Sequence, residues 1–147
     1  MTHSGHYDRE VEIIRLDIPG SLKYLNLLES AVDGILERVD DLDAHAPVST
    51  DIRLALHELC TNIARHAYSD CDRDRILLTF ELASTRRELR ITTVDTGSEF
   101  DPSKIPAPDL ENGQMHGYGL YLMRKLMDEV EYQTSQAGNR WRMMKKL

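Results

Sequence analysis

Residues 75–97 read RILLTFELASTRRELRITTVDTG. Two runs of alternating apolar and polar residues are separated by a short polar stretch. Alternation at period 2, rich in leucine, isoleucine and threonine, predicts strands at 75–83 and 88–95 with a hairpin turn at 84–87. Downstream, 129–135 and 140–146 form a second predicted pair around a turn at 136–139. Upstream, EVEIIRLDI at 10–18 predicts a strand that Pro19-Gly20 ends.

The segments between have helical periodicity. A helix is predicted over 21–39, with Ser21 as its cap and Leu22, Leu25, Leu28, Val32, Ile35 and Val39 on one face. A second is predicted over 51–68, with Ser49 or Thr50 as N-cap, and a short third over 120–126. Residues 96–117 have no period and form a long loop, a feature that in compact domains is usually functional or disordered. The order β-α-α-β-β-loop-α-β-β predicts an α/β two-layer sandwich, a mixed β-sheet with helices packed on one face. A doubly wound sheet would need strands and helices to alternate singly.

The chain has 147 residues, the size of one domain spanning 1–147, with the polar residues 1–9 expected to be disordered. It is 41% hydrophobic and 29% charged, enough for a core and a solvated surface. No apolar run approaches the roughly 20 residues that span a bilayer, and the N-terminus does not read as a signal peptide. The expectation is a soluble, cytoplasmic protein without a membrane partner. The net charge of −7 argues against nucleic acid as a partner. Arg140, Arg142, Lys145 and Lys146 are read as a solvated strand face. Cys60 and Cys71 are too few for a disulfide framework, and Cys60 is read as a small buried hydrophobe.

Three short motifs carry chemistry. On a helical wheel with Ile52 at 0°, Ile52, Ala55, Leu56, Leu59, Cys60, Ile63, Ala64 and Ala67 fill one arc. Glu58, Asn62 and His66 fall at about 240°, 280° and 320°, a row climbing into that arc. A carboxylate and an amide beside a core are costly without partners, and a magnesium nucleotide would supply them. Asn62 offers a neutral oxygen to Mg²⁺, and Glu58 can accept a proton. Zinc does not fit, because a His-Glu-x-x-His motif begun at His57 would need histidine where Thr61 stands. Asp95-Thr96-Gly97 ends a strand: the carboxylate can accept from an adenine amino group, and the glycine lets a base lie close. Gly113, Gly117 and Gly119 precede a helix whose N-terminus favours anions. Read singly, each motif has a plainer explanation: an amphipathic edge, a turn, a capped loop.

Their order is more specific. Glu58-x-x-x-Asn62-x-x-x-His66, Asp95-x-Gly97 and Gly117-x-Gly119-Leu120 resemble the N, G1 and G2 boxes of the GHKL ATPase superfamily, which includes gyrase B, histidine kinases and MutL. ALHELCTNIARHAY at 55–68, VDTGSEFDP at 94–102 and HGYGLYLMRKLMDEVEY at 116–132 are similar to the anti-sigma-factor serine kinases of bacterial partner switching. The resemblance covers most of residues 10–147 and implies the Bergerat-type ATP-binding sandwich.

It further implies a protein that binds ATP and Mg²⁺, phosphorylates a serine on a STAS-domain antagonist and, in an alternative complex, sequesters a sigma factor. Glu58 would be the general base and Asn62 the magnesium ligand. Asn62, His66, Asp95, Gly97, Phe100, Gly113, Gly117, Tyr118, Gly119 and Leu120 would contact the nucleotide, with residues 102–118 as an ATP lid. Family members often form a homodimer through the first strand and helix. Two positions depart from the family pattern: Glu99 stands where a second glycine is frequent, and Asn139 where a threonine often follows the final turn glycine. These motivate the alternative of a nucleotide-binding module that acts by sequestration alone.

Overall fold

The computed structural model describes residues 11–43, 46–67, 74–97 and 118–147. Its single sheet has five strands: β1 (Val11–Pro19), β2 (Arg75–Ala83), β3 (Glu88–Asp95), β4 (Glu129–Ser135) and β5 (Gly138–Lys146). The hairpin at the centre of the chain falls where alternation placed it. In β2, Ile76, Leu78, Phe80 and Leu82 are buried; in β3, Leu89, Ile91, Thr93 and Asp95 are. Arg87 makes the turn at φ 54°, and its N–H donates to the Ser84 carbonyl at 3.2 Å.

The strand order is β1-β2-β3-β5-β4. The two-layer α/β sandwich is as expected, and within it the expected mixed sheet is antiparallel at all four pairings. The reason lies in the connection after β3. β4 runs in the same direction as β3, as a helical crossover requires, but the β4–β5 hairpin folds β5 back between them. That insertion sets Asp95 opposite Asn139 and Glu88 opposite Lys146.

Three α-helices, α1 (Asn26–Leu36), α2 (Pro47–Asn62) and α3 (Tyr118–Leu126), share one hydrophobic core with the inward strand residues. Their apolar faces are those the periodicity predicts: Leu28, Val32 and Ile35 from α1, and Ile52, Ala55, Leu56, Leu59 and Cys60 from α2. Residues on the other face of the sheet, such as Ile13, Leu77, Arg140 and Arg142, are exposed. Two helix starts differ from expectation. The 21–39 segment opens with a 3-10 turn, Leu22–Tyr24, and Ser21 makes no side-chain cap bond. α2 starts at Pro47 with Ala46 as N-cap, so Ser49 lies within its first turn. Proline at the first helical position needs no N–H partner and brings the required φ, which moves the start upstream of both predicted caps.

After Asn62 the helix widens into a π-helical segment, Ile63–Ala67. At the far end of the core, Lys145 leaves the solvated basic cluster: its Nζ donates to the Leu126 carbonyl at the C-terminus of α3 and lies 3.4 Å from Asp51 of α2. No helix among the described residues is long and apolar enough to cross a membrane. The segments 1–9 and 102–117 lie outside the described residues.

Phe80 is fully buried at the centre of the sheet. Phe80→Ala is expected to cost about 3–5 kcal/mol in urea unfolding, whereas Thr92→Ala on the other face should stay within about 0.5 kcal/mol. A Phe80→Ala loss below about 1 kcal/mol would take this ring out of the core's centre.

Candidate functional site

The period-2 phase of β3 decides where its last residue goes. Leu89, Ile91, Thr93 and Asp95 share the inward face, so the strand buries a carboxylate at its end, 2% exposed. Burial pushes the Asp95 carboxyl above the ordinary carboxylate range, and hydrogen bonds from Asn139 and Gly97 partly offset the shift. Both bonds fall on one oxygen. Oδ1 accepts from the Asn139 side-chain amide at 2.9 Å and from the Gly97 N–H at 3.1 Å. Among the described residues no donor reaches Oδ2.

Gly138 makes this pairing sterically feasible. It sits at φ +122, and a Cβ there would stand 2.4 Å from the Asp95 carbonyl oxygen. Only glycine tolerates both conditions. β5 therefore starts directly against the end of β3, and Asn139, 3% exposed, comes to face Asp95.

α2 contributes the second part of the site. Glu58 and Asn62, one turn apart, are each half-buried, as expected for a row at the margin of the apolar face. Between them in sequence, Cys60 is fully buried. Burial pushes its thiol up to about 12, and the nearby Asp95 charge adds to the shift. Electrostatically, then, the end of β3 is within reach of the turn of α2 that carries Glu58 and Asn62. Cys60 is inert packing, as its sequence context indicates.

The third part is the first turn of α3. A Cβ on Gly119 would lie 3.0 Å from both Asn62 Nδ2 and Glu58 Oε2. The helix start thus closes onto these two polar groups, and a side chain at 119 would displace them. Leu120, the next residue, is 6% exposed and belongs to the core, leaving its backbone as the part that could meet a ligand.

Among the expected site residues, the structure brings together Glu58, Asn62 and Gly119, and separately Asp95 and Gly97. His66 lies in the π-helical segment, and its side chain is outside the described residues, as is that of Tyr118 at the start of α3. The 100° step behind the three-residue row therefore applies to Glu58 and Asn62 only. Phe100, Gly113 and Gly117 also lie outside the described residues. Asn139 was read from sequence only as a departure from a family pattern. Its place in the inward phase of β5, in step with Trp141 and Met143, is the signal that could have found it.

A family model described as the histidine kinase-like ATPase domain matches residues 19–145. The serine-protein kinase RsbW of Bacillus velezensis is 27% identical over 135 residues, covering 85% of this chain and 80% of that one. The serine-protein kinase RsbW of Bacillus cereus (strain B4264) is 32% identical over 132 residues, covering 82% and 76%. The crystal structure of the RsbU and RsbW domains of a Mycobacterium tuberculosis protein superposes with a TM-score of 0.66 at 16% identity. That match covers 92% of this chain and 32% of the larger one, and at such identity it shows the fold alone.

The raised Asp95 carboxyl has a consequence for stability. A carboxyl that holds its proton more tightly when folded than when unfolded lowers stability as pH rises through the interval between the two values. Asp95→Asn is therefore expected to raise the melting temperature of the nucleotide-free protein at about pH 7.5 and to leave it nearly unchanged at about pH 3.5. Equal melting curves for the two proteins at both pH values would contradict the burial argument.

Proposed function

Because the chain belongs to the histidine kinase-like ATPase domain family, matched across residues 19–145, we propose that it is an ATP-dependent serine protein kinase and anti-sigma factor. On this reading it phosphorylates a serine of a STAS-domain antagonist and sequesters a sigma factor in the alternative complex. The observation that carries the proposal is the approach of Gly119 to Glu58 and Asn62, so close that a Cβ at 119 would stand 3.0 Å from both side chains. A carboxylate and an amide converge on a helix start, and the end of β3 carries a buried carboxylate whose Oδ2 no described donor reaches.

These residues fit a magnesium nucleotide. Asp95 Oδ2 can accept from the exocyclic amine of adenine, with Gly97 leaving room for the base. Thr93, on the same face of β3, has a buried hydroxyl without a partner among the described residues, as expected beside a site that a polar ligand or water completes. The Asn62 amide oxygen is a suitable hard, neutral ligand for Mg²⁺. Bound Mg-ATP supplies the γ-phosphoryl group. The chain's own part is positioning and charge, which is most of what phosphoryl transfer asks of a protein.

In that scheme Glu58 accepts the proton of the attacking serine hydroxyl or orients it. Gly119 lets α3 approach without pushing the Glu58 carboxylate or the Asn62 amide aside. His66, Phe100, Gly113, Gly117 and Tyr118 complete the nucleotide contacts, and 102–118 acts as the lid over the phosphates. On the same reading it works in the cytoplasm, residues 1–147 fold as one domain, and β1 and α1 take part in pairing two copies. The Bacillus relatives, both serine-protein kinases RsbW, support the kinase reading over sequestration alone.

Incubation with [γ-³²P]ATP and STAS-domain proteins encoded nearby is expected to give acid-stable serine phosphate. An absence of Mg-ATP binding at millimolar nucleotide in calorimetry would sink the proposal. Glu58→Ala should lower transfer by about 10²–10⁴-fold while the antagonist still binds; transfer at the wild-type rate would remove Glu58 from the chemistry. Asn62→Ala should weaken Mg-ATP binding. Gly119→Ala separates fold from function: it replaces a helical glycine, worth about 0.5–1 kcal/mol of stability, yet should reduce transfer because its Cβ crowds both groups. Full activity in Gly119→Ala would show that the approach of α3 imposes no constraint.

A further inference from the structure

Asn139 stands at the centre of a three-strand hydrogen-bond relay. Its Nδ2 donates to Asp95 Oδ1 at 2.9 Å and to the Gly97 carbonyl at 3.0 Å. Its Oδ1 accepts from the Tyr132 hydroxyl at 3.2 Å and the Thr134 hydroxyl at 3.0 Å, both on β4. Those four bonds use both donors and both lone pairs of the side-chain amide. They also fix its orientation. A flipped amide would aim its oxygen at a carboxylate and a carbonyl, and its N–H groups at two hydroxyls whose protons would then need other acceptors.

A side chain with its capacity filled in this way has nothing left to offer a base. It acts on the carboxylate instead. Asn139 and the Gly97 N–H both bind Oδ1, which fixes the rotation of the Asp95 carboxyl and leaves Oδ2 as the acceptor for a ligand. The same amide holds the Gly97 carbonyl, so one residue sets both the acceptor and the backbone beside it.

We propose that Asn139 is the positioning residue of the base subsite: through the relay from Tyr132 and Thr134 it presents Asp95 Oδ2 to an amino-bearing purine and so sets selectivity for a 6-amino over a 6-oxo base. The proposal rests on the reading of Asp95 as the residue that meets adenine. A 6-oxo purine offers an acceptor where Asp95 offers another, and the rigid carboxyl cannot rotate away from that conflict.

A merely structural Asn139 and a positioning Asn139 predict different titrations. With Oδ1 accepting two N–H bonds, a proton on Asp95 would sit on Oδ2 and turn it into a donor, so Oδ2 meets an amine best when the carboxyl is ionised. Burial raises the Asp95 carboxyl, and the Asn139 amide from β5 and the Gly97 N–H act against it; the neighbouring Cys60 thiol of α2 stays neutral because its own burial pushes it up to about 12. Removing the amide removes a bond that holds the carboxyl down. The pH at which binding fades on acidification should therefore move upward.

The test is calorimetry of the full chain with Mg-ATP and Mg-GTP between about pH 5 and 8. Asn139→Ala is expected to raise the Kd for Mg-ATP by about tenfold or more, the scale of a lost hydrogen bond to a charged group. The Kd for Mg-GTP should move much less, so selectivity falls, and the acid limit of binding should rise. Tyr132→Phe combined with Thr134→Val keeps Asn139 but frees its amide, and should shift all three readings the same way by a smaller factor. This pair also tests the relay if Asn139→Ala fails to fold. Unmoved selectivity and an unmoved acid limit in the variants that fold overturn the proposal, even where melting shows a lower stability. Asp95→Asn is the control: wild-type Mg-ATP binding in that variant would overturn the base-subsite reading itself. Loss of binding there with no effect in the relay variants would overturn the role of Asn139 alone.

Discussion

A carboxylate carried into the core by strand alternation constrains everything around it. Asp95 sits on the inward face of β3 because Leu89 and Ile91 do, and at 2% exposure it must be partnered from within. Its partners come from the neighbouring strand, so the sheet order matters to the site. β5, not β4, lies beside β3, and only that order brings the Asn139 amide to 2.9 Å from the carboxylate. Gly138 follows from the same requirement, since a strand bearing Asn139 opposite Asp95 must begin almost in contact with the Asp95 carbonyl. Burial holds the Asp95 proton, a perturbation of the kind that clusters at functional sites.

The second constraint is the closeness of two helices. α2 presents Glu58 and Asn62 at the margin of its apolar face, and α3 begins with a glycine against them. The α-helix gives way to π geometry immediately after Asn62, and such widenings are frequent at functional sites. The site therefore consists of a rigid sheet end, a helix turn and a helix start, each held by core packing behind it. Leu59, Cys60, Leu120 and Met123, all buried, supply that packing.

Much of this was legible in the sequence, for physical reasons that differ from element to element. Alternation at 75–83 and 88–95 gave both central strands with the bounds observed, because each strand has one buried and one open face. The apolar arc of α2 and the marginal placement of Glu58 and Asn62 followed from the 3.6-residue period. The helix starts were misplaced where local cap chemistry competed with proline: Ser49 looked like a cap, but Pro47 had already begun the helix. Strand pairing was not legible, since nothing in a one-dimensional pattern says that β5 inserts between β3 and β4. The partners of Asn139 were hidden for that reason. Without the pairing it is only a residue out of place in a motif; with it, the side chain has four hydrogen bonds across three strands.

The attachment of α3 gives it the mechanics of a lever. Lys145 grips its C-terminal carbonyl at Leu126 and reaches Asp51 of α2, while the Asp128 carboxylate accepts from the Lys146 N–H at 2.7 Å. The pivot is thus fastened to the last strand, and the opposite arm, which bears Gly119, rests on the core through Leu120. At 1.5 Å of rise per residue that arm is about 10 Å long, so a tilt of roughly 5° at the pivot displaces Gly119 by about 0.9 Å. Gly119 lies so close to these groups that a Cβ there would stand 3.0 Å from both Asn62 Nδ2 and Glu58 Oε2, so such a displacement reaches them. Small rotations of one short helix are therefore transmitted, amplified by its length, to the carboxylate and amide on which the proposed chemistry turns.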